Sequence, residues 1–259
     1  DYAYLKSCYE EALVNLAAAL NAHHGRRHGL RYWRILMGPW LYLFIHVLFD
    51  RWTMAAKAAA RDDVGSTILM NDPEDELIPR DLRGMSPDDL RWNHFLYASA
   101  IREQACLSRE EVPGERRGLM QTSATADPPG GGGELLRKAA RACLDWLVLP
   151  GEAFFLNTSL PRAFSTRLQF KLGQIPKFWR SPPPPQVMPD IGLRRAFHLS
   201  VAEATADPFQ RFLAKMLSRQ IPTVYLEGYS ALLDVVRQQP WPKRPKVMFT
   251  SNSFQFDEV

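Results

Sequence analysis

The sequence predicts an α/β fold with a parallel sheet, because short apolar runs alternate with helical patterns along its 259 residues. Three of these runs end alike, with small polar residues directly after the apolar ones. They are residues 68–70 before Asn71 and Asp72, residues 154–156 before residues 157–159, and residues 247–249 before residues 250–253. Ligands bind outside the carboxyl ends of strands in such sheets, so we expect these ends to share one binding edge. Helix capping alone would also explain the polar residues at each end.

The first two helices are predicted from apolar spacing and from one proline. Leucine and alanine side chains recur at helical spacing from Leu5 to Leu20, and Gly25 follows as a stop signal. Proline is favoured at the first helical position, so we expect the second helix to begin at Pro39 and to end near Ala60.

Further helices are predicted along the rest of the chain. Ser86 stands as an N-cap with Asp89 three residues on, a capping-box pattern that indicates a helix to about Gln104. Other helical patterns cover residues 134–147, 208–218 and 225–237.

Two stretches of unusual composition divide the chain. Residues 125–133, TADPPGGGG, are typical of a flexible surface loop. Residues 181–189, SPPPPQVMP, are typical of a stiff polyproline connector. We therefore expect a helical region with the first part of an α/β lobe at 1–124, the loop at 125–133, and an α/β region at 134–259.

Composition and missing motifs exclude several classes of protein. The formal charge of +4 is mild, and basic stripes with interleaved aromatic residues, as in nucleic-acid binders, are missing. The three cysteines lie far apart, which argues against a zinc site or a disulfide framework and indicates a reducing compartment. GxGxxG, GxxxxGKS, DxD, GxSxG and HExxH do not occur, so we expect no metal site and no bound dinucleotide.

The densest aromatic stretch, residues 31–52, is predicted to be a mostly buried helix. Its clean apolar run, residues 40–49, is shorter than the ~20 residues that span a bilayer. One narrow stripe at helical spacing is polar, and we interpret it as the wall of a cleft. The stripe consists of Tyr42, His46, Asp50, Thr53 and Lys57.

Two residues of this stripe are the candidate catalytic pair. His46 and Asp50 lie four positions apart on one helix face and can therefore meet. The carboxylate would orient the imidazole as a general base. The alternative interpretation is a structural pair at a solvent-facing seam, or a histidine satisfied within the core.

Five further residues are candidates for substrate binding. Arg31, Arg34 and Arg51 lie before or within the aromatic helix, where planar guanidinium groups suit anionic phosphates. For Arg31 and Arg34, packing of the aliphatic stems on aromatic rings is an alternative. Ser251 and Asn252 follow the last apolar run and could hydrogen-bond the hydroxyls of a donor or an acceptor.

Four segments carry a resemblance to a known family: LRYWRILMGPWLYLFIHVLFDRW at 30–52, RWNHFLY at 91–97, LGQIPKFW at 172–179 and KVMFTSNSF at 246–254. They resemble the transferases encoded in bacterial O-antigen and surface-polysaccharide gene clusters. The resemblance implies a two-lobed protein of the glycosyltransferase-B type. This chain would supply a Rossmann-like lobe with additional helices, incomplete and inactive by itself.

The resemblance also implies a function and a setting. We expect a glycosyl transfer that takes a nucleotide-activated sugar as substrate, uses no cofactor and delivers the sugar to a glycan or lipid-linked acceptor. The expected place is the cytoplasm or the inner face of the membrane, with peripheral membrane contact and no nucleic-acid partner. The alternative is a non-catalytic scaffold or binding module for polysaccharide assembly, with the aromatic helix as its contact surface.

Overall fold

A computed structural model describes residues 1–85, 89–105, 107–116, 151–197, 199, 207–242 and 244–250. Its helices are α1 (Tyr2–His24), α2 (Leu30–Ala59), α3 (Leu90–Gln104), α4 (Arg162–Lys171), α5 (Ile191–Ala196), α6 (Pro208–Gln220) and α7 (Tyr229–Gln238), with a short 3-10 turn at Glu74–Glu76. Its strands are β1 (Ser66–Asn71), β2 (Ser108–Pro113), β3 (Ala153–Leu156) and β4 (Val247–Thr250). The mixed α/β class is confirmed, while the Rossmann-like and two-lobed details stay predictions.

The described strands form two separate parallel pairs, β1 with β2 and β3 with β4. In the first pair Ser66 lies opposite Ser108, and in the second Ala153 lies opposite Val247. The three apolar runs are strands, as predicted, and the ends of β3 and β4 lie side by side in one parallel pair. The strand β1 does not join them, because it pairs with a polar segment, SREEVP, whose sequence carries no apolar strand pattern.

The chain divides into two compact units. The first unit combines Asp1–Met120 with Pro185–Ser230, and the second combines Gln121–Pro184 with Ala231–Asp257. The first boundary after the loop region therefore falls inside the predicted polyproline connector. The segment from Pro185 to Ser230 packs with the N-terminal part of the chain, although the sequence placed it in the C-terminal region. The predicted loop 125–133 and helix 134–147 lie outside the described residues.

Helix α2 is the centre of the first unit, and it begins nine residues earlier than predicted. Pro39 lies inside the helix, where it removes one backbone hydrogen bond at a cost of ~3 kcal/mol. The turns before it nevertheless stay helical because they bury Trp33 and Met37 completely. Gly38 beside the proline is also needed, since a side chain there would meet the Tyr9 hydroxyl at 2.8 Å.

By length and composition, α2 is apolar enough to cross a membrane. One face of the helix is nevertheless buried against protein, and the helix packs on α1, α3 and α6. Trp33, Trp40, Phe44 and Leu48 repeat at the spacing of one helix face and are fully buried. The core of the first unit is therefore an apolar layer of helices.

Two other helix starts differ from the prediction. The N-cap of α3 is Asp89, whose carboxylate accepts hydrogen bonds from the backbone amides of Arg91 (2.8 Å) and Trp92 (3.1 Å). Ser86, the predicted N-cap, lies outside the described residues. Helix α7 begins at Tyr229 because the preceding residues form a turn, in which the amide of Gly228 donates to the Thr223 carbonyl at 2.7 Å.

The second unit buries polar side chains around β3. The β3–β4 pair packs an apolar cluster of Phe154, Leu156 and Trp179, with Trp241 at its side. Beside this cluster lies a buried ion pair, Lys177 with Glu152 at 2.7 Å, and two buried glutamines from α4 and the loop after it. Every such polar group needs a partner, because water does not reach it.

Candidate functional site

The structure does not join the predicted catalytic pair. His46 Nδ1 lies 2.7 Å from the Tyr42 carbonyl oxygen, and its ring packs 4.1 Å from the Tyr42 ring. Asp50 instead pairs with the neighbouring Arg51. The physical reason is that side chains on a helix lean toward its N-terminus, which places His46 on the preceding turn. A role for His46 and Asp50 in catalysis stays a prediction, without the orienting hydrogen bond that motivated it.

Two of the three predicted phosphate-binding arginines are engaged in helix packing. Arg34 makes two hydrogen bonds to Glu10 of α1, at 2.8 and 2.6 Å. Arg51 donates to the Asn93 side chain of α3 at 3.0 and 2.7 Å, and its guanidinium lies 5.3 Å from the ring of Tyr97. These guanidinium contacts fix α2 to its neighbours, and a role of Arg34 and Arg51 in substrate binding stays a prediction.

The other predicted binding residues are placed only in part. Arg31 is exposed, and the described part of the chain offers it no ion pair. Ser251 and Asn252 lie outside the described residues, directly after the end of β4.

A different feature of the first unit gathers titratable groups. A polar cleft of ~470 Å³ opens between the C-terminal end of α1 and the segment around α5 and the start of α7. It is lined by His23, His24, Met188, Asp190, Leu193, Leu226, Glu227 and Ser230. We call it the His24 cleft.

The turn between α1 and α2 positions the histidines of this cleft. Gly25 adopts a left-handed conformation, φ 60°, which ends α1 directly after His24. Asn21 then ties the turn together, since its side chain donates to the His28 carbonyl (2.8 Å) and accepts from the His28 amide (3.0 Å). The indole of Trp33 donates to the same Asn21 oxygen at 3.1 Å, which fixes the turn to α2.

His24 is held as an oriented base. Its Nε2 lies 2.9 Å from the Tyr225 carbonyl oxygen, and a carbonyl can only accept, so Nε2 carries the proton. In the neutral ring Nδ1 then keeps its lone pair. The imidazole also stacks on Tyr229 with ring centres 4.3 Å apart. Burial lowers the pKa of His24, the hydrogen bond to Tyr225 raises it, and the positive charge of Arg26 lowers it. The pKa stays below its ordinary value, so the neutral ring predominates near pH 7.

A chain of hydroxyl groups continues from the same turn. His28 Nε2 lies 2.9 Å from the Tyr229 hydroxyl, which lies 2.8 Å from the Tyr32 hydroxyl. Burial raises the pKa of Tyr32, and its hydrogen bond to Tyr229 raises it further. The phenol therefore keeps its proton and can donate it in a hydrogen bond.

The opposite wall of the cleft is fixed by a buried ion pair. Arg194 binds both carboxylate oxygens of Glu227 at 2.7 Å and also donates to the carbonyl oxygens of Arg219 and Ile221. The Glu227 charge is therefore neutralised, and the same carboxylate accepts a hydrogen bond from the Asp190 amide. This ion pair orders the wall of the cleft. The carboxylate of Asp190, on the same wall, is exposed.

Positive charge lies on the turn beside His24. Arg26 and Arg27 are exposed, and in the described ranges neither has an ion pair. Arg26 lies near enough to lower the pKa of both His24 and Tyr32. The cleft wall thus presents the imidazole of His24, and the exposed guanidinium of Arg26 lies on the turn directly beside it. A guanidinium there suits a substrate with an anionic group.

Comparison with known proteins now assigns the chain to a family. The family model of the LIC12162 family transferases matches residues 1–259, the whole chain. The chain belongs to the LIC12162 transferase family. No curated protein and no solved structure matches it. The resemblance found in the sequence is thereby confirmed as membership of a transferase family.

For a LIC12162 transferase, the cleft offers a base but no evident metal centre. In the part of the chain that the structure describes, no group of three or more histidine, cysteine or acidic side chains could hold a metal ion. The sequence argument did not select His24, because HHG at a helix end is an unremarkable pattern. Its partner Tyr225 lies 201 positions away, so only the folded chain brings them together.

Proposed function

We propose that this LIC12162 transferase moves a sugar from a nucleotide-activated donor to an acceptor hydroxyl, with His24 as the general base. The observation that carries the proposal is the neutral, oriented imidazole on the wall of a polar cleft. Family membership supports group transfer. The four segments that resemble surface-polysaccharide transferases favour a sugar as the transferred group.

In the proposed reaction, Nδ1 of His24 accepts the proton of the acceptor hydroxyl while the hydroxyl oxygen attacks the anomeric carbon. The bond between that carbon and the diphosphate oxygen breaks, and its electron pair leaves with the nucleoside diphosphate. Arg26 would offset the negative charge that develops on this leaving group. Tyr225, through its carbonyl, acts as a positioning residue that keeps Nδ1 unprotonated.

The proposed setting follows from the family resemblance. The acceptor would be a glycan or a lipid-linked carrier of bacterial surface-polysaccharide synthesis, and the reaction would take place in the cytoplasm or at the inner face of the membrane. The donor would be a substrate rather than a resident cofactor.

The proposal is tested by replacing His24 with glutamine, whose side-chain amide can still donate to the Tyr225 carbonyl. In the protein that contains this chain, His24→Gln should lower kcat by about a hundredfold or more and change KM little. Nucleoside diphosphate release from a panel of nucleotide sugars measures this effect. Lys6→Gln, at an exposed position of α1 that does not line the cleft, is the control and should retain turnover.

Two results would overturn this assignment. If His24→Gln keeps full turnover while His46→Ala loses it, the base lies on the α2 stripe. If nucleoside diphosphates bind neither the wild type nor any variant in calorimetry, and no donor is turned over, a non-catalytic role in polysaccharide assembly is favoured.

A further inference from the structure

Helix α4 in the second unit has an inverted distribution of side chains. The helix buries a serine and a glutamine, Ser165 and Gln169, with Gln169 at 0% exposure. By contrast Phe164 and Phe170 are 56% and 64% exposed. We refer to the exposed apolar side chains of this helix and its flanks together as the α4 face. It consists of Leu160, Phe164, Phe170, Leu172, Ile175 and Phe178.

A buried polar network holds this inverted arrangement. The side-chain oxygen Oε1 of Gln169 accepts hydrogen bonds from the Lys177 backbone amide (2.8 Å) and the Gln174 side chain (3.1 Å). Gln174 in turn bonds both the amide and the carbonyl of Ala153 in β3, at 2.7 and 2.9 Å. The apolar side chains of the α4 face cannot turn inward without breaking these buried bonds, which carry a high penalty when left unmade.

The same surface carries only positive charge. Arg162, Arg167, Lys171 and Arg180 are exposed, and none has an ion pair within the described ranges. The sequence from 153 to 189 contains no aspartate or glutamate. Arg162 also lies 5.8 Å from the ring centre of Phe178, so cationic and apolar groups are interleaved.

We propose that the α4 face docks on the anionic surface of a phospholipid bilayer. Apolar side chains can enter the boundary between headgroups and acyl chains, while lysine and arginine remain with the anionic headgroups. Single-stranded nucleic acid would use aromatic stacking and cations, but it gains nothing from aliphatic side chains such as Leu172 and Ile175. This docking surface lies in the second unit and does not depend on the His24 cleft or its proposed reaction.

Vesicle flotation of the full 259-residue chain tests the proposal. The chain should float with vesicles of equal parts phosphatidylcholine and phosphatidylglycerol, float much less with phosphatidylcholine alone, and detach as salt is added. Arg167→Gln with Lys171→Gln should weaken binding about 25-fold, about fivefold for each cation. Phe164→Ser with Phe170→Ser should weaken it by more than about tenfold. Since all four side chains are exposed, melting curves should remain near that of the wild type.

The matched controls lie on the first unit. Ile35→Ser removes an equally exposed apolar side chain, 68% exposed, and Lys57→Gln removes an exposed cation, both on α2. Binding that survives the α4 variants but is lost with these controls would place the membrane contact on α2 and overturn the proposal. Absence of flotation with either vesicle would also overturn it. So would an α4 face that mediates dimerisation or binding to single-stranded RNA instead.

Discussion

In the first unit the buried side chains are mostly large and apolar, whereas helix α4 in the second unit buries only a serine and a glutamine. Trp33, Trp40 and Phe44 of α2 are fully enclosed. In the second unit, Gln169 and the Glu152–Lys177 pair are enclosed instead, close to a small aromatic cluster. Among the described residues, polar side chains therefore make up a larger share of the interior of the second unit than of the first, although the first unit also buries the Arg194–Glu227 pair.

This difference determines how each unit should respond to substitution. Loss of an apolar side chain costs transfer free energy and leaves a cavity, so the effect scales with the volume removed. Loss of one member of a satisfied polar network leaves its partners buried without hydrogen bonds, so the effect depends on how many partners it had. A small change in volume can thus be costly in the second unit.

The largest effect is expected from Trp40→Ala in the first unit. Trp40 is fully buried and stacks on Phe44 with ring centres 5.4 Å apart, so truncation should lower the free energy of unfolding by about 3–5 kcal/mol. Urea denaturation followed by circular dichroism measures this change. Ile35→Ala on the exposed side of the same helix should stay within about 0.5 kcal/mol. Equal losses for both would show that α2 is not the apolar core of this unit.

A loss of stability of intermediate size is expected for the substitution of a buried glutamine, and each unit contains one that can be compared. Gln169→Leu in the second unit should cost about 1–3 kcal/mol, because it leaves the Lys177 amide and Gln174 without their partner. Gln220 in the first unit accepts from the Trp92 indole at 2.8 Å, while its own amide nitrogen has no hydrogen-bond partner among the described residues. Gln220→Leu removes that unmet donor as well, so its net cost should be smaller. A larger loss for Gln220→Leu in urea denaturation would contradict the contrast.

The smallest effect on stability is expected from the protonation of His24, a polar side chain that lies among aromatic residues of the first unit. Its folded-state pKa lies below the ordinary value of 6.5, so the unfolded chain binds the proton first as pH falls. The stabilisation by neutral His24 is therefore complete above the ordinary pKa and is lost as pH falls through the folded value.

The measurement is the melting temperature of the wild type and His24→Gln between about pH 7 and about pH 5. The difference between wild type and variant should shrink toward acid pH, because only the wild type carries the destabilising proton uptake. A difference that stays constant or grows on acidification would mean that His24 is not held neutral by the fold.

Local sequence patterns located several elements well. Helix α1 runs over the predicted apolar spacing and ends at Gly25, where only a residue tolerant of positive φ fits the turn. The three apolar runs are strands, because short β-rich segments bounded by turn residues favour strands. Helix α6 begins at Pro208, as predicted, with Asp207 as its cap.

Patterns that compete with tertiary packing misled the prediction. Pro39 is a strong start signal, yet burial of Trp33 and Met37 outweighs it and extends α2 toward the N-terminus. The polar segment of β2 becomes a strand because β1 offers a parallel partner, and this contribution is invisible along the chain. His46 and Asp50 have the correct spacing but bind nearer neighbours instead.

The sequence by itself determined the mixed α/β class, most helix positions and membership of a transferase family, because these depend on local periodicity and on segments of sequence. Only the tertiary structure decided which strands pair, where the polar cleft lies and which side of α4 faces out. His24 is oriented by a carbonyl 201 positions away. The buried side chain of Gln169 donates to the backbone carbonyl of Lys177, in the loop after its own helix. Such long-range contacts depend on how the elements pack in the tertiary structure, and local spacing patterns in the sequence do not predict them.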